Sequence, residues 1–349
     1  MKIQAKFKVG THQNSSNIPT IVQGSKCPSG PAMINTFSGG FDYTYDWPIH
    51  YQPLDTQNQS LCQAYMDVSP KETTGDEKVI MMLHGKNFCS QTWNATAKVM
   101  LDQGYRVILP DQIGFCKSDK PDSYQFSLHQ LALNTKTILD TLGVKRLTVM
   151  GHSMGGMLSA RFALMYPEMV DRLVMVDPIG LEDWKAKGVP YLPIDDIYRQ
   201  EAASNYTSIS GYENATYYIN NWKPEYDVWV NMLLKVYDGS LADTYAFNQA
   251  LVTDMVYTQP IVYELPLLGD IPNSLLIVGD KDNTAIGKQW SPPDVQATLG
   301  HYDVLGREAA QAIGGNCTLI HYPNLGHAPQ ISDPDIFHQN LTGWLNETD

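Results

Sequence analysis

The chain has 349 residues, 43% hydrophobic and 17% charged, which suffices for one large core plus an insertion. A formal net charge of −13 disfavours nucleic acid and anionic membrane as partners. No run of about 18 apolar residues occurs, so no membrane span is expected.

Residues 1–40 are rich in Ser, Gly, Asn and Pro and lack periodicity, so they read as an extended N-terminal arm. Residues 43–51 and 61–68 read as an antiparallel start to a sheet. From Lys78 onward, short apolar runs alternate with glycine turns and helical patterns. Strands are expected at 78–83, 105–109, 147–150, 173–176, 273–278 and 316–321, with helices at 93–103, 128–142, 156–166 and 334–345. That alternation implies an α/β fold with a mostly parallel central sheet and helices on both faces. Between residues 178 and 272 the alternation stops. This stretch holds 11 of the 20 tyrosines, together with Trp184, Trp222 and Trp229. Some of these aromatics pack the segment onto the sheet, and others roof a cleft for an apolar or aromatic molecule with polar substituents.

Four motifs each follow a predicted strand. Gly151-His152-Ser153-Met154-Gly155 reads G-x-S-x-G, a strand-to-helix turn that lifts a serine clear of the sheet. His84-Gly85-Lys86-Asn87-Phe88 precedes it, and Gly279-Asp280-Lys281-Asp282 and Asn324-Leu325-Gly326-His327-Ala328-Pro329 follow. A serine hydroxyl needs a base within hydrogen-bond reach, and the base needs an orienting acid. The chain order serine, acid, histidine supplies both.

These motifs, with Asp111-Gln112-Ile113-Gly114-Phe115, resemble the α/β-hydrolase superfamily over about residues 45–346. The resemblance points to its serine-nucleophile branch with a helical cap. That branch holds C–C bond hydrolases, lactonases, esterases and cofactor-free haloperoxidases. It implies a core of 41–177 and 273–349 and an inserted helical cap of 178–272. It implies a catalytic set of Ser153, Asp282 and His327, with Asp177 and Asp280 as alternative acids. Backbone N–H groups of Met154 and Lys86, or Asn87 in place of Lys86, are the expected oxyanion donors. The Lys86 side chain reads as a solvated surface charge, with a place in the cleft as the alternative. Asn87, Trp222 and Trp229 are candidate substrate contacts, the two tryptophans sharing one face if their stretch is helical. No metal or organic cofactor is required. Haloalkane dehalogenases and epoxide hydrolases carry an aspartate where this chain has Ser153. The expected reaction is cleavage of an ester, thioester or lactone of a small-molecule substrate. C–C bond cleavage, acyl transfer to an alcohol, and a non-catalytic ligand-binding role stand as alternatives.

The family's loop usually reads Gly-Phe-Gly where this chain has Gly114-Phe115-Cys116. Cys116 and Cys89 fall in loops that neighbour each other in this fold, so a bridge and two unlinked thiols are both open readings. Cys27 and Cys62 would form a second pair and leave Cys317 free. Eight of the 19 asparagines stand in N-x-S/T sequons: Asn14, Asn58, Asn94, Asn205, Asn214, Asn316, Asn340 and Asn346. Residues 1–6 carry no apolar signal segment, so the expectation is a secreted glycoprotein whose signal peptide has been removed. A polar, threonine-rich surface of a cytoplasmic protein is the alternative.

Overall fold

The computed structural model describes residues 27–28, 39–72, 75 and 77–348. Most of the predicted N-terminal arm lies outside them. The first strands are β1 (Ile49–Thr56) and β2 (Gln59–Val68), joined by Gln57 and Asn58 in the left-handed region at φ 50° and 59°. This hairpin sits later in the chain than expected for its first strand, because 43–47 is irregular. β1 is an edge strand, so Pro53 within it forfeits no hydrogen bond to a further neighbour.

The alternating part follows. It runs β3 (Val79–Leu83), α1 (Asn94–Asp102), β4 (Arg106–Pro110), α2 (Leu128–Thr141), β5 (Leu147–His152), α3 (Met154–Met165) and β6 (Val170–Val176). Four helices intervene before the next strand: α4 (Ile194–Ala202), α5 (Tyr206–Thr216), α6 (Asp227–Tyr237) and α7 (Ala242–Thr258). The chain then returns through β7 (Asn273–Gly279), α8 (Pro293–Gln296), α9 (Tyr302–Ile313), β8 (Cys317–Tyr322), α10 (Pro329–Ser332) and α11 (Pro334–Glu347).

The eight strands form one sheet in the order β1-β2-β4-β3-β5-β6-β7-β8. β1, β2 and β4 pair antiparallel, and every later pairing is parallel. All six residues of β5 are buried, as a central strand covered on both faces requires. α3 packs behind it with nine of its twelve residues buried. Local caps set helix starts: Ser127 accepts the Gln130 N–H at α2, and Asn205 and Ser208 exchange a capping box at α5.

Two disulfides are present, Cys89–Cys116 and Cys27–Cys62, and Cys317 is free. The first ties the loop after β3 to the loop after β4. Cys116 has φ 43°, a conformation that glycine adopts without strain. Residues 39–41 are held from two sides. Lys120 Nζ donates to the Gly39 carbonyl at 2.6 Å, and Ser240 N–H donates to the Gly40 carbonyl at 2.8 Å. Burial lowers the Lys120 ammonium to about 7.

Candidate active site

The site is built on the turn between β5 and α3. Ser153 sits there with φ 59° and ψ −122°, a region non-glycine residues rarely occupy. The backbone around it over-determines that strain. Ser153 N–H donates to the Val176 carbonyl at 3.0 Å, and the Ser153 carbonyl accepts from Gly156 N–H at 2.9 Å. The turn closes only around glycines: a Cβ on Gly151 would lie 1.9 Å from the Gly155 carbonyl oxygen. Met154 opens α3, so its N–H belongs to the first turn, which has no intrahelical partner.

The loop after β3 faces this turn. A Cβ on Gly85 would lie 3.0 Å from the Ser153 Cβ. Lys86 and Asn87 are the central residues of a turn closed by Phe88 N–H on the Gly85 carbonyl, at 3.2 Å. His84 lies buried beneath. Its Nε2 accepts from Gln112 N–H and its Nδ1 donates to the Gly85 carbonyl, so burial and two fixed bonds keep the ring neutral.

His327 follows β8 and is fully buried. Its Nδ1 lies 2.6 Å from Asp282 Oδ2, both side chains having 0% exposure. Its Nε2 is buried with no hydrogen-bond partner among the described residues. Asp282 Oδ1 accepts the Thr284 N–H at 2.8 Å, which fixes the carboxylate plane. His152, the residue before Ser153, donates from Nε2 to the His327 carbonyl at 2.6 Å. Burial drives His152 well below the usual imidazole range, so the donor is a neutral ring.

The alternative acids fall elsewhere. Asp177 is completely buried and accepts the Gly279 N–H through Oδ1 at 2.8 Å. Burial, then the negative charge of Asp282, push Asp177 well above the carboxylate range. Asp280 turns away, with Oδ2 3.0 Å from His321 Nδ1. Asp177, Asp282 and His327 are the one trio of potential metal ligands among the described residues. Its imidazole Nδ1 and Asp282 Oδ2 are already bonded to each other, so the trio does not offer three free ligand atoms.

Helices α4–α7 and their loops cover the site. His327 N–H donates to the Thr216 carbonyl at 3.3 Å, and the Tyr217 ring lies 4.9 Å from the His327 ring. Asn87 Nδ2 donates to the Tyr217 hydroxyl at 2.9 Å. Ser153 is accordingly only 5% exposed. Lys86 and Asn87, on the loop that faces the Ser153 turn, also wall a cavity of about 500 Å³ completed by α4–α7 and by residues 285–287, 289 and 290; Ser153 and His327 are not among its walls. Ile197, Ile209, Leu233, Ile286 and Trp290 give it apolar walls, and Tyr212 and Tyr237 add hydroxyls.

Two expectations need correction. Lys86 is not a solvated surface charge: its Nζ lies 2.6 Å from Glu201 Oε1, with side-chain exposures of 14% and 15%. Trp222 and Trp229 do not share a helical face, because Trp222 is in a loop and only Trp229 is on α6. Trp222 packs on Tyr218 and Tyr226 at ring distances of 5.4 and 5.7 Å, and neither tryptophan lines the cavity. The proline at 224 breaks the stretch between them. Glu201, Tyr217 and Trp290 were not foreseen. Only the clustering of tyrosines after residue 178 hinted at any of them.

Comparison with known proteins agrees with this architecture. A family model described as the alpha/beta hydrolase fold matches residues 78–195. The crystal structure of a probable hydrolytic enzyme from Pseudomonas aeruginosa PAO1 superposes with a TM-score of 0.84 at 48% identity, covering 90% of this chain and 99% of that one. An uncharacterized protein of Mycobacterium tuberculosis is 36% identical over 107 residues, 31% of this chain and 31% of that protein. A 2-hydroxy-6-oxo-6-phenylhexa-2,4-dienoate hydrolase of Comamonas testosteroni is 31% identical over 140 residues, 39% of this chain and 48% of that enzyme. The matches to these curated relatives thus span a third to a half of their length. With the near-complete, 48% identical match to the Pseudomonas hydrolytic enzyme and the match to the alpha/beta hydrolase fold model, the chain belongs to the α/β-hydrolase superfamily.

Proposed function

We propose that the chain is a serine hydrolase that cleaves an ester, thioester or lactone with a medium-sized apolar or aromatic acyl group. The observation that carries this reading is the buried His327–Asp282 pair, whose remaining ring nitrogen, Nε2, has no hydrogen-bond partner among the described residues and lies beside the Ser153 turn. His327 Nε2 takes the proton of Ser153 as the hydroxyl attacks the carbonyl carbon. Asp282 holds the ring in the tautomer with Nδ1–H and stabilises the imidazolium that forms. Backbone N–H groups of Met154 and Lys86 face the developing oxyanion. His327 then protonates the leaving group, and water, activated by the same ring, releases the acid from the acyl-serine. Residues 178–272 act as the cap that determines which acyl group enters.

Cleavage of a C–C bond beside a carbonyl is the second reading. It is favoured by the partial similarity to the Comamonas dienoate hydrolase. The test is fluorophosphonate labelling with peptide mapping, followed by a chain-length series of p-nitrophenyl esters. Ser153 is expected to be the labelled residue, and Ser153→Ala to abolish turnover with the fold intact. Ester hydrolysis surviving at near wild-type rate in Ser153→Ala would overturn the nucleophile assignment. An unlabelled Ser153 in an intact protein would favour a ligand-binding role.

Two disulfides support an oxidising compartment, and with it the secreted glycoprotein reading. Asn58, Asn205, Asn316 and Asn346 are the exposed sequon asparagines among the described residues. A mass shift on enzymatic deglycosylation of protein from its native host tests that reading.

A further inference from the structure

The cavity walled by Lys86 and Asn87, whose loop faces the Ser153 turn through Gly85, is lined by one cation, Lys86, and one carboxylate, Glu201, and the two are bonded to each other at 2.6 Å. Glu201 is held on its other side as well. The Tyr237 hydroxyl donates to Glu201 Oε2 at 2.5 Å, so both carboxylate oxygens are engaged. The Lys86 ammonium therefore cannot serve an incoming anion without giving up a partner that is itself anchored. The remaining walls are aliphatic, aromatic, hydroxyl or amide groups that favour an uncharged chain. A carboxylate entering here would lose its water, gain no free cation and approach the like charge of Glu201.

We propose that Glu201 makes this cavity selective for uncharged acyl groups: by holding Lys86 in an ion pair it rejects substrates whose acyl portion carries a second carboxylate. This deepens the serine-hydrolase reading and rests on it. The specificity element is a repulsive one, supplied by a residue of α4 that lies 115 positions from its partner in the chain. Removing the Glu201 charge while keeping its shape should convert Lys86 into a receptor for the carboxylate. The size of the change is that of one charge-assisted hydrogen bond in a partly buried site, about tenfold to a hundredfold in affinity.

The probes are hexanoate and hexanamide, matched in length and differing in charge. Their binding is followed by calorimetry on the full chain, on Glu201→Gln, on Lys86→Met and on the double variant. The wild type is expected to bind hexanamide more tightly. Glu201→Gln should raise the affinity ratio of hexanoate to hexanamide by about tenfold or more, and adding Lys86→Met should remove that gain. A ratio that moves by less than about threefold in Glu201→Gln overturns the proposal. So does a wild type that already prefers hexanoate, or failure of every variant to bind either compound. Fluorophosphonate labelling of the same samples reads the parent assignment separately. Labelled Ser153 with an unchanged ratio overturns the selectivity alone. Unlabelled Ser153 with a shifted ratio overturns the hydrolase reading and leaves the charge rule in place.

Discussion

Glu213 lies on α5 with no exposed surface, and neither of its carboxyl oxygens has a hydrogen-bond partner among the described residues. Burial pushes the acid from its usual 4.5 to about 8. At pH 7 the folded protein keeps this proton while the unfolded chain has released it. The folded-state value lies above the unfolded one, so the stabilising contribution is complete below about pH 4.5. It is lost progressively as pH rises from there to about 8. Each pH unit in that window costs about 1.4 kcal/mol, so the handicap at pH 7 is about 3 kcal/mol. Unfolding entropy of about 2.1 cal/mol/K per residue over 349 residues converts this to about 4–5 °C in Tm. Glu213→Gln copies the shape of the protonated acid but cannot ionise. Its Tm should match wild type near pH 4.5, exceed it by about 4–5 °C at pH 7, and gain a little more by pH 8. Differential scanning calorimetry across that range provides the measurement. A difference that stays constant from pH 4.5 to 8 would refute the buried-acid argument.

Asp282→Asn should lower kcat by about 10⁴, the cost of a mis-set histidine tautomer in a comparable triad. Asp177→Asn keeps the side chain's shape and the acceptor for Gly279 N–H, so its loss should stay within about tenfold; a larger loss for Asp177→Asn than for Asp282→Asn would reverse the assignment of the acid. The Cys89–Cys116 bridge closes a loop of 27 residues' separation and should contribute about 3–4 kcal/mol, so the double Ser variant should melt several degrees lower with the same ester preference. Trp222→Ala should depress kcat/KM evenly across an ester chain-length series, whereas Leu233→Ala should shift the preferred length, each buried methylene being worth about 0.8 kcal/mol. Tyr217→Phe removes the bond to Asn87 while keeping the ring on His327, so it should speed labelling of Ser153 by fluorophosphonate; unchanged labelling would mean that this contact does not limit access.

The parallel core was legible because its signals are local. β5 opens on the β-prone run Leu147-Thr148-Val149-Met150 and leads directly into a glycine-flanked serine turn. The β1–β2 hairpin was misplaced because its turn, Gln57-Asn58, contains no glycine, and Pro53 inside an edge strand reads as a breaker. α9 went unforeseen, although it packs against β7 and β8. The cavity wall was illegible for a different reason. Lys86 and Glu201 come from the β3 loop and from α4, and nothing near either residue announces the other. Likewise the seven-residue spacing of Trp222 and Trp229 suggested one helical face, but Pro224 starts a separate turn between them.

The closed site and the buried acid meet on one helix. α5 carries Glu213, and its last residue, Thr216, accepts the His327 N–H. Tyr217, next in the chain, lies on the imidazole and is held by Asn87 of the loop proposed to bind the oxyanion. Any movement of α5 and its C-terminal turn away from this site would break the contacts to His327 and to Asn87 at once. The Glu213 carboxyl, without a hydrogen-bond partner among the described residues, works against the packing of α5 wherever it must ionise. The segment around α5 is held by polar contacts to His327 and Asn87, and the Tyr218–Trp222–Tyr226 cluster packs it onto Phe88 and Ala328.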